Sequence, residues 1–313
     1  MFAAYSSSLL LPHQTSLRAT ETMAIVFIPQ VDIASPLGTL GLNLDSVAHL
    51  GQVFLSATLE NYKEILDWVT SNVSRFTISV DVSELTVISN IHTLLDAGVA
   101  RVFVQHSQLQ NLRPGIPSAR LVQILDTTHG TFDLTDTGAG APMGVYAKNV
   151  NNLQGFTDWL KAFSAKNRPS VYVSFDFTPT LGDVTSVTKL LATPIIPVEL
   201  LTVDTKADSP SLSVAKVLCA AVTTDRPDGL FTTLVVDERG VGLGLVYSSE
   251  KSIAESLRTG RGVYHSRKRG LWYKGETSGA TQELVKIDLD CDGDCLRFVV
   301  KQNGAGEMSL LNS

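Results

Sequence analysis

The sequence predicts an α/β N-terminal domain on a parallel, partial barrel-like sheet, followed by a compact β-rich α+β domain. Three observations lead there. From Ala24 to about Leu201, short β-rich apolar runs alternate with helical patterns, and strand, helix, strand at that rhythm implies a parallel sheet with covering helices. Residues 202–214, with Asp204, Lys206, Asp208, Ser209, Pro210 and Ser211, are polar and lack an apolar face. Beyond them β-rich runs take over around a single helical segment.

Taken in order, residues 1–22 hold Arg18, several Ser and Thr, and no acid before Glu21. They weakly resemble an organellar presequence but lack an amphipathic period, so a disordered extension is expected, with Met23 the natural start. An apolar strand follows at 24–29. Strands are expected at 52–56, 76–80, 101–105 and 171–175, and helices at 59–69, 87–95, 153–163 and 184–191. These units fall short of eight. Residues 23–201 therefore read as the α/β domain and 202–214 as a linker. Residues 215–313 form the second domain, with strands at 230–236, 242–247, 262–264 and 296–300 and a helix at 250–257. No internal repeat or low-complexity tract is present.

Composition bounds the function. With 313 residues, 44% of them hydrophobic, the chain can bury one large core or two ordinary ones. A net charge of -6 argues against a general nucleic-acid binder. No apolar run reaches about 18 residues, so no membrane span is expected. Three cysteines, Cys219, Cys291 and Cys295, lack the spacing of a disulfide framework. That points to a reducing compartment and a cytoplasmic location.

The last third carries the chemistry. Asp290, Asp292 and Asp294 alternate with Cys291 and Gly293. In an extended segment alternate residues share a face, which would gather three hard oxygen ligands suited to Mg²⁺ and turn Cys291 away. The bland reading is a solvated acidic turn. Upstream, Arg267, Arg269 and Lys274 are candidates to hold phosphate, and Trp272 to pack on a base or sugar. Thr277 and Ser278 lie in the Gly-Glu-Thr-Ser-Gly loop beside them. The bland reading here is a basic solvated β-edge with a core aromatic. His265 is incidental, and Cys219 and Cys295 are structural.

Several motifs in this region occur in an order that resembles a known family. They are Thr224-Asp225-Arg226-Pro227-Asp228-Gly229-Leu230, Leu245-Val246-Tyr247-Ser248-Ser249-Glu250-Lys251-Ser252, Gly260-Arg261-Gly262-Val263-Tyr264, Ser266-Arg267, residues 272–279 and Asp290-Cys291-Asp292-Gly293-Asp294. Together they resemble phosphoribosyl-AMP cyclohydrolase over residues 223–306, with the closest likeness to the cyclohydrolase segment of fungal trifunctional histidine-biosynthesis proteins. Residues 23–222 resemble, more weakly, the extra N-terminal region of those proteins. The resemblance implies hydrolytic opening of the adenine ring of phosphoribosyl-AMP, Mg²⁺ on the three aspartates, Zn²⁺ with Cys291 as a ligand, and a homodimer through the C-terminal domain.

The family completes its zinc site with two further cysteines, the first followed by a histidine. In this sequence Met308 stands where the first cysteine would fall and Ser309 where the histidine would be, and the second cysteine is not reached by Ser313. Weak zinc binding and little or no hydrolysis are therefore expected of these residues alone. The alternative is a non-catalytic protein that binds a phosphate ligand or serves as a scaffold. A third reading places an isomerase in the N-terminal segment, with Asp32 and Asp176 as strand-end aspartates.

Overall fold

The computed structural model describes residues 26–34, 44–125, 127, 144–162, 169–203, 211–290 and 293–304. Eight parallel strands close into a barrel: β1 (Ile28–Gln30), β2 (Gln52–Ser56), β3 (Thr77–Asp81), β4 (Arg101–Val104), β5 (Leu121–Leu125), β6 (Gly144–Val150), β7 (Ser170–Phe175) and β8 (Ala192–Pro197). The helices of this part are α1 (Leu44–Ala48), α2 (Tyr62–Asn72), α3 (Ile88–Asp96), α4 (His106–Leu112), α5 (Leu153–Ala162) and α6 (Leu181–Thr188).

The expected partial barrel is thus a complete one, and the strands absent from the sequence reading have identifiable reasons. The run forming β8 contains Pro194 and Pro197, residues that normally argue against a strand interior. The run forming β6 is interrupted by Lys148 and Asn149 before its last residue, Val150, so its apolar signal fades halfway along. The run forming β5 shows no period-two alternation, because parallel barrel strands bury both faces.

Inside the barrel, Phe103 meets the rings of Phe54, Tyr172 and Tyr146 edge-on at 4.9, 5.0 and 5.3 Å. The interior is a packed aromatic plug, and edge-to-face pairs add to the burial energy. Outside it, amphipathic helices cover the strands; α2 buries Ile65 and Val69.

The ends of the expected linker are ordered. Two short strands, β9 (Leu201–Thr202) and β10 (Leu212–Ser213), pair in parallel. Helix α7 (Val214–Ala221) follows and buries Val214, Ala215, Val217 and Leu218. Residues 1–22 and 204–210 lie outside the described residues.

The second part contains a four-stranded sheet of order β12-β11-β16-β15, with β11 (Phe231–Val236), β12 (Gly242–Ser248), β15 (Gln282–Leu289) and β16 (Cys295–Gln302). Helix α8 (Glu250–Thr259) and a hairpin, β13 (Val263–Ser266) with β14 (Gly270–Tyr273), complete it. Ser249 caps α8 by accepting from the Ser252 amide, and Gly260 ends it in the left-handed region at φ 64.

The two parts share a continuous apolar core, in which Leu50, Leu218, Ile287 and Phe298 belong to one cluster. At their junction the Ile287 amide donates to the His49 carbonyl at 2.9 Å. The His49 Nδ1 and the Val285 carbonyl lie 3.2 Å apart. Burial at this junction holds the His49 imidazole below its ordinary pKa. The folded state therefore keeps His49 neutral, while the unfolded chain takes up a proton once pH falls below about 6.5. Stability is present above that pH and lost below it, at a rate of at most about 1.4 kcal/mol per pH unit for one proton. Urea midpoints measured from pH 7.5 to 5.5 should decline in the wild type, and His49→Gln should flatten the decline. Equal slopes in both proteins would remove His49 from the account.

Candidate functional site

Part of the candidate set lies at one end of the four-stranded sheet. The strand register shows how. Tyr247 on β12 is opposite Thr232 on β11, which is opposite Cys295 on β16. Leu289, the last residue of β15, is opposite Leu296. The cationic surroundings of Tyr247 and the acidic turn between β15 and β16 therefore lie two strand spacings apart, about 10 Å.

Tyr247 organises the cationic side. The guanidinium of Arg226 sits 4.0 Å from its ring centroid and that of Arg267 sits 5.3 Å away, so the ring holds two cations by its π-face. Arg226 is also fixed by a bidentate pair with Asp228, at 3.0 and 2.6 Å. Tyr247 and Arg226 escaped the sequence reading as site residues. Both lie inside quoted motifs, and the Arg-Pro-Asp-Gly spacing of a tight turn was the available signal.

Trp272 is the second platform. Arg269 lies 5.2 Å and Lys274 6.0 Å from its ring, and the half-buried indole packs on the core and lies 6.1 Å from Tyr264. Its hairpin is tied to α8 through Glu255, whose carboxylate accepts from the Tyr273 hydroxyl at 2.5 Å and pairs with Arg258. Arg258 first, and Tyr273 after it, hold the Glu255 carboxyl below the usual range. The His265 Nδ1 lies 3.2 Å from the hydroxyl of the α8 cap, Ser249.

Arg267 and Arg269 are exposed in the turn of the β13–β14 hairpin, and Thr277 and Ser278 are exposed in the next loop. That loop closes tightly. Gly275 has φ 85, and a Cβ there would lie 2.4 Å from the backbone of Ala280, so no other residue fits. The same loop touches Gly304, just past the far end of β16. Within one chain, Thr277 and Ser278 thus lie a strand length, roughly 24 Å, from the acidic turn. The fold joins Arg226, Tyr247 and Arg267 to the acidic turn, places Arg269, Trp272 and Lys274 on the adjoining hairpin, and sets Thr277 and Ser278 apart.

The acidic segment itself departs from the expected extended geometry. Strand β15 stops at Leu289 and β16 starts at Cys295, so Asp290 and Asp294 stand at the two ends of a hairpin turn. Gly293 takes φ 74, a left-handed conformation that breaks period-two alternation. Asp290 closes the turn: its Oδ1 accepts from the amides of Asp294 and Cys295, both at 3.1 Å. Across the turn the Gly293 carbonyl accepts from the Thr223 amide at 2.7 Å, anchoring it beside the segment that carries Arg226. Cys291 and Asp292, like Met308 and Ser309, lie outside the described residues. Among the described residues no group of three His, Cys, Asp or Glu side chains is placed to hold a metal ion.

Of the other cysteines, burial pushes the Cys219 thiol up to about 12, and Cys295 donates to the Leu296 carbonyl at 3.4 Å. Asp32 and Asp176 follow β1 and β7 at the carboxyl end of the barrel, both exposed. No helix among the described residues is long and apolar enough to cross a membrane.

Residues 244–308 match the family model for phosphoribosyl-AMP cyclohydrolase. The chain is 37% identical over 290 residues to a histidine biosynthesis trifunctional protein of Neurospora crassa, covering 90% of this chain and 32% of that protein. It is 35% identical over 288 residues to a histidine biosynthesis bifunctional protein of Schizosaccharomyces pombe, covering 90% of this chain and 69% of that protein. A phosphoribosyl-AMP cyclohydrolase of Acidiphilium cryptum is 52% identical over 68 residues, 21% of this chain and 59% of the relative.

Proposed function

The chain belongs to the family of fungal histidine-biosynthesis proteins that contain a phosphoribosyl-AMP cyclohydrolase region, and from that premise we propose that residues 215–313 catalyse hydrolytic opening of the adenine ring of phosphoribosyl-AMP. One observation carries the reading: the sheet register sets the cations around Tyr247 and the acidic turn at one end of the sheet. A phosphorylated substrate needs the first, and a hard cation that polarises water or phosphate needs the second.

Each side chain has a role in this scheme. Arg267, Arg269 and Lys274 meet phosphate, held in place by the rings of Tyr247 and Trp272. Thr277 and Ser278 would offer hydroxyl donors only from a second copy, since within one chain their loop lies at the far end of the sheet. Asp290, Asp292 and Asp294 would hold Mg²⁺, and the hard oxygens at both ends of the turn suit that ion. When bound, it would supply positive charge against the substrate. Zn²⁺ is a different case. Cys291 is the proposed thiolate, and Cys219 and Cys295 do not fit as its companions, so no step is assigned to zinc.

The division into residues 23–201 and 215–313, with a connection at 202–214, is part of the same proposal. So is a homodimer through the C-terminal part. The outer face of β12 and β11 exposes Leu245 (66%), Leu243 (41%) and Leu234 (37%), an apolar patch of the kind that marks interaction surfaces. A partner on that face is a means of bringing Thr277 and Ser278 of one copy toward the acidic turn of the other. Cysteine usage without a disulfide pattern supports a cytoplasmic location.

The test is kinetic. Purified chain supplied with Mg²⁺ should open phosphoribosyl-AMP only at the low rate that an incomplete zinc site leaves, and Arg267→Ala should raise KM by about tenfold or more with a smaller effect on kcat. Arg239→Ala, at the opposite end of the sheet, should change neither. Equal effects of the two substitutions, or no effect of Arg267→Ala on KM, would refute the assignment.

A further inference from the structure

We propose that the carboxyl-end mouth of the barrel is a second small-molecule site, built on Lys148, for a ligand carrying one carboxylate and one amine, the chemistry of a free amino acid. Active sites of parallel eight-stranded barrels lie at this end, where the strands release their side chains into a common opening.

Alternation along the strands decides what faces that opening. The aromatic plug of Phe54, Phe103 and Tyr146 forms its floor. Two residues beyond Ser79 and Tyr146, on the same inward faces, come Asp81 and Lys148. The Lys148 Nζ donates to Asp81 Oδ2 at 2.8 Å, spanning the mouth from β6 to β3. Asp81 Oδ1 accepts from the Ser83 amide at 2.9 Å. The Asp81 side chain is 3% exposed and that of Lys148 36%. The carboxylate is therefore closed off with both oxygens engaged. The pair presents to solvent an ammonium that has spent one of its three N–H donors.

The backbone around Lys148 is shaped to aim it. The register of β6 with β7 shifts between Ala147 and Val150, and Asn149 takes φ 57. Bulges of this kind re-aim side chains, and a left-handed asparagine is sustained here by its surroundings. The surroundings are polar: the Tyr146 hydroxyl donates to Ser174 Oγ at 2.8 Å, and Ser174 Oγ accepts from the Asn149 amide at 2.9 Å. One layer below Asp81, the Ser79 hydroxyl is buried at 1% exposure with no hydrogen-bond partner among the described residues.

The rim selects the ligand. Asp176 stands exposed on it, as does Asp32, whose Oδ1 accepts from the Ala34 amide at 3.0 Å, so a dianion at the mouth meets added negative charge. A molecule that offers one carboxylate to the ammonium and its own amine to the rim is favoured.

The experiment uses the full chain with Arg267→Ala and Arg269→Ala as background, which removes the proposed phosphate cations and makes the outcome independent of ring opening. Calorimetric titration with each standard L-amino acid, acetate and inorganic phosphate should show saturable binding of at least one amino acid. Acetate and phosphate should bind about tenfold more weakly or worse. Lys148→Arg should weaken the amino acid about tenfold. The double change Asp81→Asn with Lys148→Met removes both charges and leaves no unpaired charge behind, and should abolish binding while leaving the circular dichroism spectrum intact. Absence of saturable binding, unchanged binding in the folded double variant, or phosphate binding as tightly as any amino acid would each overturn the proposal.

Discussion

Asp290→Asn is expected to lower ring-opening activity by about two orders of magnitude while leaving the fold in place. The side-chain oxygen that accepts from the amides of Asp294 and Cys295 survives in asparagine, so the turn persists. What disappears is a charge, and with it an anionic ligand to the proposed Mg²⁺. Asp290→Ala separates the two roles. It removes the same charge and leaves two turn amides without their acceptor, at a cost of about 1–3 kcal/mol. Activity and urea midpoints of the two variants, measured across a Mg²⁺ titration, should show equal catalytic losses and unequal stabilities. If Asp290→Asn keeps wild-type turnover and Mg²⁺ dependence, the carboxylate serves the turn alone.

The largest stability effect is expected at Phe103→Ala. Phe103 is fully buried and touches three other aromatic rings inside a closed barrel, so the surrounding strands cannot collapse into the space it leaves. Phe→Ala changes at such sites cost about 3–5 kcal/mol, a large share of the roughly 5–15 kcal/mol that holds a protein folded. The melting temperature should fall by about 10 °C. A matched control is Leu191→Gly: Leu191 is 78% exposed and sits at φ 57. Relieving that left-handed strain should leave stability unchanged or raise it by up to about 1 kcal/mol. A Phe103→Ala protein that melts with the wild type would mean the plug is not tightly packed.

What the sequence determined by itself is local. Alternating apolar runs specified strands at 52–56 and 171–175 and the helices between them, because periodicity and burial are written in neighbouring residues. The cyclohydrolase motifs were legible for the same reason: each is a short run whose residues sit side by side in the chain. Tertiary structure decided closure of the barrel, since β8 carries two prolines and gains its place by pairing with β1 and β7. Tertiary structure likewise made Arg226 and Tyr247 neighbours of Arg267, contacts whose partners are separated by 20 or more residues. It set Asp290 and Asp294 at the ends of a chain reversal, because the antiparallel pairing of β15 with β16 needs one there and Gly293 supplies a left-handed step. It also crossed Lys148 to Asp81 over the barrel mouth, from strands three apart, where no spacing along the chain marks the pair. Long-range ladders and cross-barrel contacts depend on how distant segments are brought into register, and that information resides in the packed core rather than in any window of sequence.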